Sequence, residues 1–304
     1  MSRARIGLLF GGSSAEREVS LRSGKAVAAA MTRLGLDFVE LDGIPALQQA
    51  LAGKQIAQVF NLLHGGAGEN GLLQGYLGVS GVAVTGAGVL GCALSMDKAR
   101  CKAVWAAAGI PVARHQLLDE STEVDALVQT LGLPLVVKPV HEGSSVGISI
   151  VRQVGDLAEA LAQARRFDQA VMVEQFVAGA EYTAAMVDGE MLPLVRVETP
   201  RDFYDYQAKY QSDSTLYHCP AGLRPEREAE LLARCADAFA AVAVDGWGRV
   251  DFILDQQGDP VFLEVNTAPG MTDHSLVPMA ARQHGWSFEQ LVSRILATAK
   301  EVRQ

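Results

Sequence analysis

The chain has 304 residues, 49% of them apolar and 20% charged, with a formal net charge of −9. That length allows two or three domains with cores of their own, and the composition excludes a disordered chain. The acidic balance argues against a general nucleic-acid or anionic-membrane binder but leaves room for a local basic pocket.

The apolar run Ile6–Phe10 reads as a buried strand, too short for the apolar region of a signal peptide. Gly11-Gly12-Ser13-Ser14-Ala15-Glu16 turns it into a helix, and Ser13-x-x-Glu16 has the form of a capping box. Further strands are predicted at Phe38–Leu41, Val59–Leu63 and Val82–Val84. Strand–helix alternation predicts a parallel sheet covered on both faces, with function at the carboxyl ends of its strands, where Glu16 and His64 fall. Glu16 also fits a plain helix cap, and His64 a structural histidine.

The stretch from Gly71 to Met96 has no charged residue and the length of a membrane span. Its seven glycines predict instead a succession of strand, turn and helix start. Gly86-Ala87-Gly88-Val89-Leu90-Gly91 matches a dinucleotide fingerprint but has no acid about 20 residues on, so its glycines read as turns. Cys92, Cys101, Cys219 and Cys235 lie far apart with no CxxC pair, as in a cytosolic protein with reduced thiols.

A helix through Ala108 carries Lys98, Arg100 and Lys102, and Gly109-Ile110-Pro111 stops it. Strands at Leu135–Pro139, Ile148–Val151 and Val171–Glu174, with a helix from Asp156 to Arg166, predict a separate α+β block. In His141-Glu142-Gly143-Ser144-Ser145-Val146-Gly147, the glycines, Ser144, Ser145 and the preceding Lys138 compose a phosphate cradle. Gly143-x-Ser145-x-Gly147 also matches a nucleophile elbow, which would have to lead into a helix. Strands recur at Tyr182–Val187 and Met191–Val197. Thr199 to Gly222 is a polar segment with four of the six tyrosines, predicted to be a lid. Helices are predicted at Pro225–Val244 and Phe288–Val302.

Between those helices, Gly246–Leu254 and Val261–Met271 flank the turn-forming Asp255-Gln256-Gln257-Gly258-Asp259-Pro260, which predicts a β-hairpin. With Leu254 opposite Val261, Asp251 faces Glu264 and Arg249 faces Asn266. Opposed carboxylates about 5 Å apart at Cβ repel, so Asp251, Glu264 and Asn266 call for a cation, and oxygen ligands suit Mg²⁺. Phe252, Leu254, Leu263 and Val265 make the other face core-like. A solvated acidic strand face is the alternative.

Taken together, GGSSAEREVS from Gly11, HGGAGENGLLQG from His64, Ser95-Met96-Asp97-Lys98, Glu142–Gly147, Tyr204–Tyr210, Gly246–Asp251, Glu264–Gly270 and His274–Pro278 resemble the ATP-grasp superfamily. Within it they resemble the D-alanine–D-alanine ligases, and the resemblance covers nearly the whole chain. It implies an ATP-grasp fold of mixed α/β and α+β class: an N-terminal Rossmann-like domain over 1–97, a central subdomain over 98–183 and a C-terminal subdomain over 184–304. ATP and two Mg²⁺ (or Mn²⁺) are the implied cofactors, with Asp251, Glu264 and Asn266 as metal ligands and Glu264 bridging. Lys98 and Lys138 resemble phosphate lysines, with Ser145 in the cradle and Lys209 on the closing loop. Glu174, Phe176, Val177 and Glu181 resemble adenine and ribose contacts.

Glu16 resembles the acid that holds the first D-alanine's ammonium, linked through Ser144 to Tyr210. His64 resembles a contact near the reacting carboxylate, Arg249 and the Gly270 N–H the oxyanion donors, and Ser275 with Leu276 the hold on the second D-alanine's carboxylate. Gln207 and Asn70 replace the glutamate and aspartate of many relatives. Tyr210, where relatives that make a D-lactate ester tend to have phenylalanine, implies the dipeptide. The expectation is a cytoplasmic, homodimeric ligase of peptidoglycan synthesis that joins two D-alanines and has neither a nucleic-acid nor a membrane partner. Another ATP-grasp ligase, including one that accepts D-lactate, or a non-enzymatic nucleotide-binding regulator are the alternatives.

Overall fold

The computed structural model describes residues 5–119, 122, 124–199 and 215–301. A parallel sheet comes first, from β1 (Arg5–Phe10), β2 (Phe38–Asp42), β3 (Ile56–Asn61) and β4 (Ala83–Val84), in the order β2-β1-β3-β4. Helices α1 (Arg17–Arg33), α2 (Gly43–Ala52) and α3 (Leu72–Val79) connect its strands. β1 is an unbroken apolar run because its two faces feed different cores. Leu8 and Phe10 pack with Val27 and Met31 of α1, whereas Leu9 packs with Leu41, Leu47 and Leu77 on the other side. β3 begins earlier than hydropathy predicts and stops at Asn61. Leu62 and Leu63 are buried beyond its end, so the apolar run outlasts the strand.

The charge-free stretch forms α3, β4 and α4 (Val89–Met96), and no described helix is long and apolar enough to cross a membrane. α5 (Lys98–Ala107) follows, capped by the Asp97 carboxylate, which accepts from the Arg100 N–H. An antiparallel sheet comes next, from β5 (His115–Leu117), β6 (Leu135–Pro139), β7 (Ser149–Val151) and β8 (Val171–Gln175), in the order β5-β8-β6-β7. With α6 (Val124–Leu131) and α7 (Leu157–Ala164) it encloses a core of its own around Leu131, Val137, Leu157 and Val173. The glycine–serine loop runs from strand to strand, which removes the elbow reading.

The largest sheet contains β9 (Gly179–Val187), β10 (Glu190–Met191), β11 (Val195–Glu198), β12 (Leu216–His218), β13 (Trp247–Asp255) and β14 (Pro260–Asn266). Its order is β12-β11-β9-β13-β14, with β10 paired to β9. The single strand expected over Met191–Val197 is two strands. Between them Leu192 and Leu194 enter opposite cores, and the Leu194 N–H donates to the Glu228 carboxylate at 2.9 Å instead of to a ladder. Helices α8 (Pro225–Ala241), α9 (Leu276–Gln283) and α10 (Phe288–Ala297) complete the fold. One face of this sheet shares a core with the parallel sheet, where Trp247 and Val187 meet Phe60, Leu62, Val277 and Ile295. The other face lies under α8 and α5, where Phe252, Phe262 and Val265 meet Trp105 and Phe239. Of the segment expected to be a lid, β12 pairs with β11. Tyr204, Tyr206, Gln207, Lys209 and Tyr210 lie outside the described residues. All four cysteines are free thiols.

Candidate active site

In the β13–β14 hairpin Arg249 lies opposite Asn266 and Asp251 opposite Glu264, the register that side-chain alternation predicts. Toward the turn the prediction is off by one. A β-bulge puts Leu254 opposite Pro260, not Val261, and turns Phe262 instead of Leu263 into the core. The buried Asp251 carboxylate accepts from Arg249 Nε at 2.8 Å and Nη2 at 2.7 Å, from Thr183 Oγ1 at 2.6 Å and from Asn266 Nδ2 at 3.1 Å. Glu264 lies 3.4 Å from Lys98 Nζ. Two facing carboxylates and one amide make an oxygen donor set that fits a hard cation whose remaining ligands are water and phosphate.

Lys98 and Lys102 are one turn apart on α5 and so share a face. Lys98 Nζ donates to the Glu142 carbonyl at 2.5 Å, which anchors the glycine–serine loop. On β6 and β8, Lys138 Nζ donates to Glu174 Oε1 at 2.5 Å, while Lys102 Nζ lies 3.1 Å from Glu174 Oε2 and donates to the Phe262 carbonyl at 3.0 Å. Burial pushes the Glu174 pKa up, but Lys102 and Lys138 overcome this and hold it well below the usual carboxylate range. Two ammoniums around one carboxylate leave a buried positive excess, which suits a polyanion. Lys102 is absent from the site predicted from sequence. Its signal was the four-residue spacing from Lys98 on a helix whose other residues, Arg100 apart, are apolar. Beyond β8 the Phe176 N–H donates to the Pro134 carbonyl at 3.0 Å, so only the Phe176 carbonyl could meet a base. Phe176, Val177 and Glu181 are all partly exposed.

In the loop between β6 and β7, Ser144 and Ser145 have φ of 51° and 59°, a left-handed conformation that costs a non-glycine residue energy. The strained pair delivers the Ser144 hydroxyl to the Glu16 carboxylate, to which it donates. Gly65 and Gly143 flank that carboxylate, and a Cβ on either would lie 2.8 Å from Glu16 Oε2. The capping-box expectation fails here, because the Glu16 side chain makes no cap bond to α1. Ser14, not Ser13, organises the turn: its hydroxyl donates to the His64 carbonyl at 2.6 Å and accepts from the Glu16 N–H at 3.2 Å. Glu16 is thereby left to face the loop.

His64 is buried, and its Nδ1 lies 2.8 Å from the Leu62 carbonyl, which requires the proton on Nδ1. Burial lowers its pKa, so the ring is neutral at pH 7, with Glu16 and Arg249 among the charges that act on it. Nε2 is thus a buried acceptor, and it has no partner among the described residues. Glu69, also missed in the sequence, ties the turn below His64 to the loop after β14. Its carboxylate accepts from the Gly65 N–H at 2.5 Å and the Ala268 N–H at 3.2 Å. Asn70 accepts from the Leu72 N–H through Oδ1 at 3.1 Å, a bond an aspartate could also make. Farther along, Met271 N–H donates to the buried Ser23 Oγ at 3.0 Å, and Ser275 Oγ accepts from the Thr272 N–H at 2.9 Å. A Cβ on Gly270 would lie 2.9 Å from that hydroxyl, and α9 starts at Leu276.

The structure thus brings Glu16, His64, Ser144 and Arg249 to one end of a polar site and links Asp251 with Asn266, Glu264 with Lys98, and Lys138 with Glu174 through hydrogen bonds and ion pairs. A phosphate-type loop on one antiparallel sheet and a carboxylate hairpin on another define the ATP-grasp class. The family model described as D-ala D-ala ligase C-terminus matches residues 104–297. A D-alanine–D-alanine ligase of Ectopseudomonas mendocina is 50% identical over 299 residues, covering 98% of this chain and 96% of the relative. The solved D-alanine–D-alanine ligase of Bacillus anthracis complexed with ATP superposes with a TM-score of 0.84 at 30% identity, covering 98% of this chain and 97% of that one. A D-Ala:D-Ser ligase from Enterococcus faecalis gives a TM-score of 0.83 at 29% identity, covering 98% and 99%. The chain belongs to the D-alanine–D-alanine ligase family.

Proposed function

We propose that this ligase joins two D-alanines at the expense of ATP, releasing ADP and phosphate. A carboxylate is a poor electrophile, so one carboxylate oxygen of the first D-alanine attacks the γ-phosphorus and the bond to ADP breaks. The neutral amine of the second D-alanine then attacks the acyl carbon, and the phosphate departs with the C–O electron pair and takes up the proton that the nitrogen loses. The observation that carries the reading is a Glu16 carboxylate whose charge is felt at His64, the Nε2 of which has no partner among the described residues. One is a carboxylate and the other a neutral acceptor, and together they suit an ammonium. Glu16, positioned by Ser144, holds that ammonium, and His64 lies beside the reacting carboxylate. Arg249 and the Gly270 N–H face the oxyanion, where one donor contributes roughly 3–4 kcal/mol in comparable sites.

Lys98 and Lys138 neutralise the phosphates, with Ser145 in the loop above them, while Glu174, the Phe176 and Val177 backbone and Glu181 hold adenosine. Ser275 and the N-terminus of α9 at Leu276 suit the second carboxylate. Lys209 and Tyr210 belong to the loop that closes the site and keeps water from the acyl phosphate. Asp251, Glu264 and Asn266 would hold Mg²⁺, which supplies charge neutralisation at the transferring phosphoryl group. The three domains are 1–97, 98–183 and 184–304, the working form is a homodimer, and the need for ATP places the enzyme in the cytoplasm.

The solved D-Ala:D-Ser relative favours a second reading, D-serine as acceptor, on the same scaffold. ADP release should be measured with D-alanine alone and then with D-serine, D-lactate or L-alanine added, and the products weighed by mass spectrometry. D-alanyl-D-alanine as the main product is expected. Faster turnover to a D-serine or D-lactate product would refute the dipeptide reading, and ATP binding without D-alanine-dependent turnover would refute the ligase reading.

A further inference from the structure

Lys102 takes no part in the chemistry just described, yet it is the most completely buried lysine of the site. It has no exposed surface, whereas Lys98 and Lys138 keep 6% and 5%. Removing an ammonium from water costs several kcal/mol unless it is paired and hydrogen-bonded, so the position calls for a reason. Its two partners come from different sheets. Glu174 belongs to β8, and the Phe262 carbonyl belongs to β14, which also carries Glu264 and Asn266.

β14 is the edge strand of its sheet, so its outward backbone groups have no neighbouring strand to pair with. At Phe262, beside the bulge, these groups are met from outside: the N–H donates to the Pro111 carbonyl at 2.9 Å and the carbonyl accepts from Lys102. One turn earlier on the same helix face, Lys98 lies against Glu264. α5 therefore touches the hairpin twice through lysines, and the second lysine also grips Glu174.

We infer that Lys102 is a positioning residue that holds Glu174 in place for the nucleotide base and fixes the distance between the base end and the metal end of the ATP site. The inference rests on the assignment of Glu174 to the base. Lys138 fixes one oxygen of Glu174 and Lys102 faces the other. With Lys102 neutral, the second oxygen loses its charged partner and the carboxylate can turn. A turned carboxylate weakens discrimination between a base that offers an amino group and one that offers a carbonyl, that is, between ATP and GTP.

The test is steady-state kinetics on the full chain with Lys102→Met and Glu174→Gln, using ATP and GTP as nucleotides, together with thermal unfolding. Lys102→Met is expected to raise KM for ATP and to lower the ATP-over-GTP preference in kcat/KM, each about tenfold, the equivalent of one lost hydrogen bond to a charged group. KM for D-alanine should change less than about twofold, because the Lys102 partners among the described residues, Glu174 and the Phe262 carbonyl, lie outside the first-substrate site. Lys102→Arg, which retains the charge, should recover part of the preference. A lower melting temperature with unchanged nucleotide preference would assign Lys102 a purely structural role and overturn the inference. If Lys102→Met does not fold, Lys102→Gln, whose amide can still donate to the Phe262 carbonyl, carries the same expectation. Failure of both to fold while Glu174→Gln folds would also overturn it. If Glu174→Gln itself leaves the preference intact, the assignment of Glu174 to the base falls. If Glu174→Gln lowers the preference and the Lys102 variants do not, only the positioning role falls.

Discussion

At the residue scale, the carboxylates around the first-substrate end are set by what surrounds them. Glu69 keeps some surface in contact with solvent, but its carboxyl group lies inside the protein. Burial and the negative charge of Glu16 push its pKa from the ordinary 4.5 up to about 7. Between those values the folded chain binds a proton that the unfolded chain releases, so this group's contribution to stability falls as pH rises toward 7. His64 acts in the opposite sense, because its lowered pKa makes the fold lose stability as pH falls below the ordinary 6.5. The urea midpoint of Glu69→Gln, measured relative to the parent's, should therefore rise as pH increases from about 5 to about 7. Parallel pH profiles for the two proteins would rule out the raised pKa.

Gly143 offers a second test at this scale. Its φ is not in the left-handed region, so alanine there brings only a Cβ, 2.8 Å from Glu16 Oε2. Gly143→Ala should raise KM for D-alanine about tenfold and leave the melting temperature nearly unchanged, since it displaces a ligand group and not the core. An unchanged KM would place the ammonium elsewhere.

At the scale of elements, the hairpin shows how far the sequence can be read. Alternation sets Asp251 against Glu264 and Arg249 against Asn266, because a period of two leaves little choice near the site. The bulge at Leu263 was not legible, since it belongs to an edge strand whose outer groups are met by Pro111 and Lys102 from another part of the chain. The same limit explains Ser13 and Ser14. Spacing alone suggests a capping box, but the hydroxyl that matters is the one within reach of the His64 carbonyl, fifty residues on. Glu69 was hidden for a related reason, as its partners Gly65 and Ala268 meet only when two sheets pack. Because the hairpin's two acids face each other as the carboxylates of one donor set, Glu264→Gln should lower kcat by about 10³-fold or more, the equivalent of roughly 4 kcal/mol. Excess chelator should stop the parent enzyme, with recovery on adding Mg²⁺. A Glu264→Gln variant that turns over normally would exclude the bridging role.

Across the whole molecule, the outer sheets share one apolar core while the middle sheet has its own. The middle block meets its neighbours at the site through polar contacts such as Ser144 to Glu16 and Lys98 to the Glu142 carbonyl. Among the described residues, the most exposed large apolar side chains lie on α3. Leu72, Tyr76 and Val79 recur at helical spacing on α3 and keep 67%, 38% and 80% of their surface exposed, beside Val89 and Leu90 at the start of α4. Gly71 and Gly75 let the two helices approach, with a Cβ on Gly71 only 2.9 Å from the Val89 carbonyl, so the residues form one patch. A chain of charge −9 repels its own copies, and the 71–96 stretch is where two copies can meet without opposing a single charge. This favours an isologous dimer through α3 and α4, in which each substitution is felt twice. Val79→Glu should convert the dimer to a 32.3 kDa monomer in sedimentation, while the exposed position keeps the monomer's melting temperature within a few degrees of the parent's. A parent that sediments as a monomer would refute the dimer, and a Val79→Glu variant that remains dimeric would move its interface off this face.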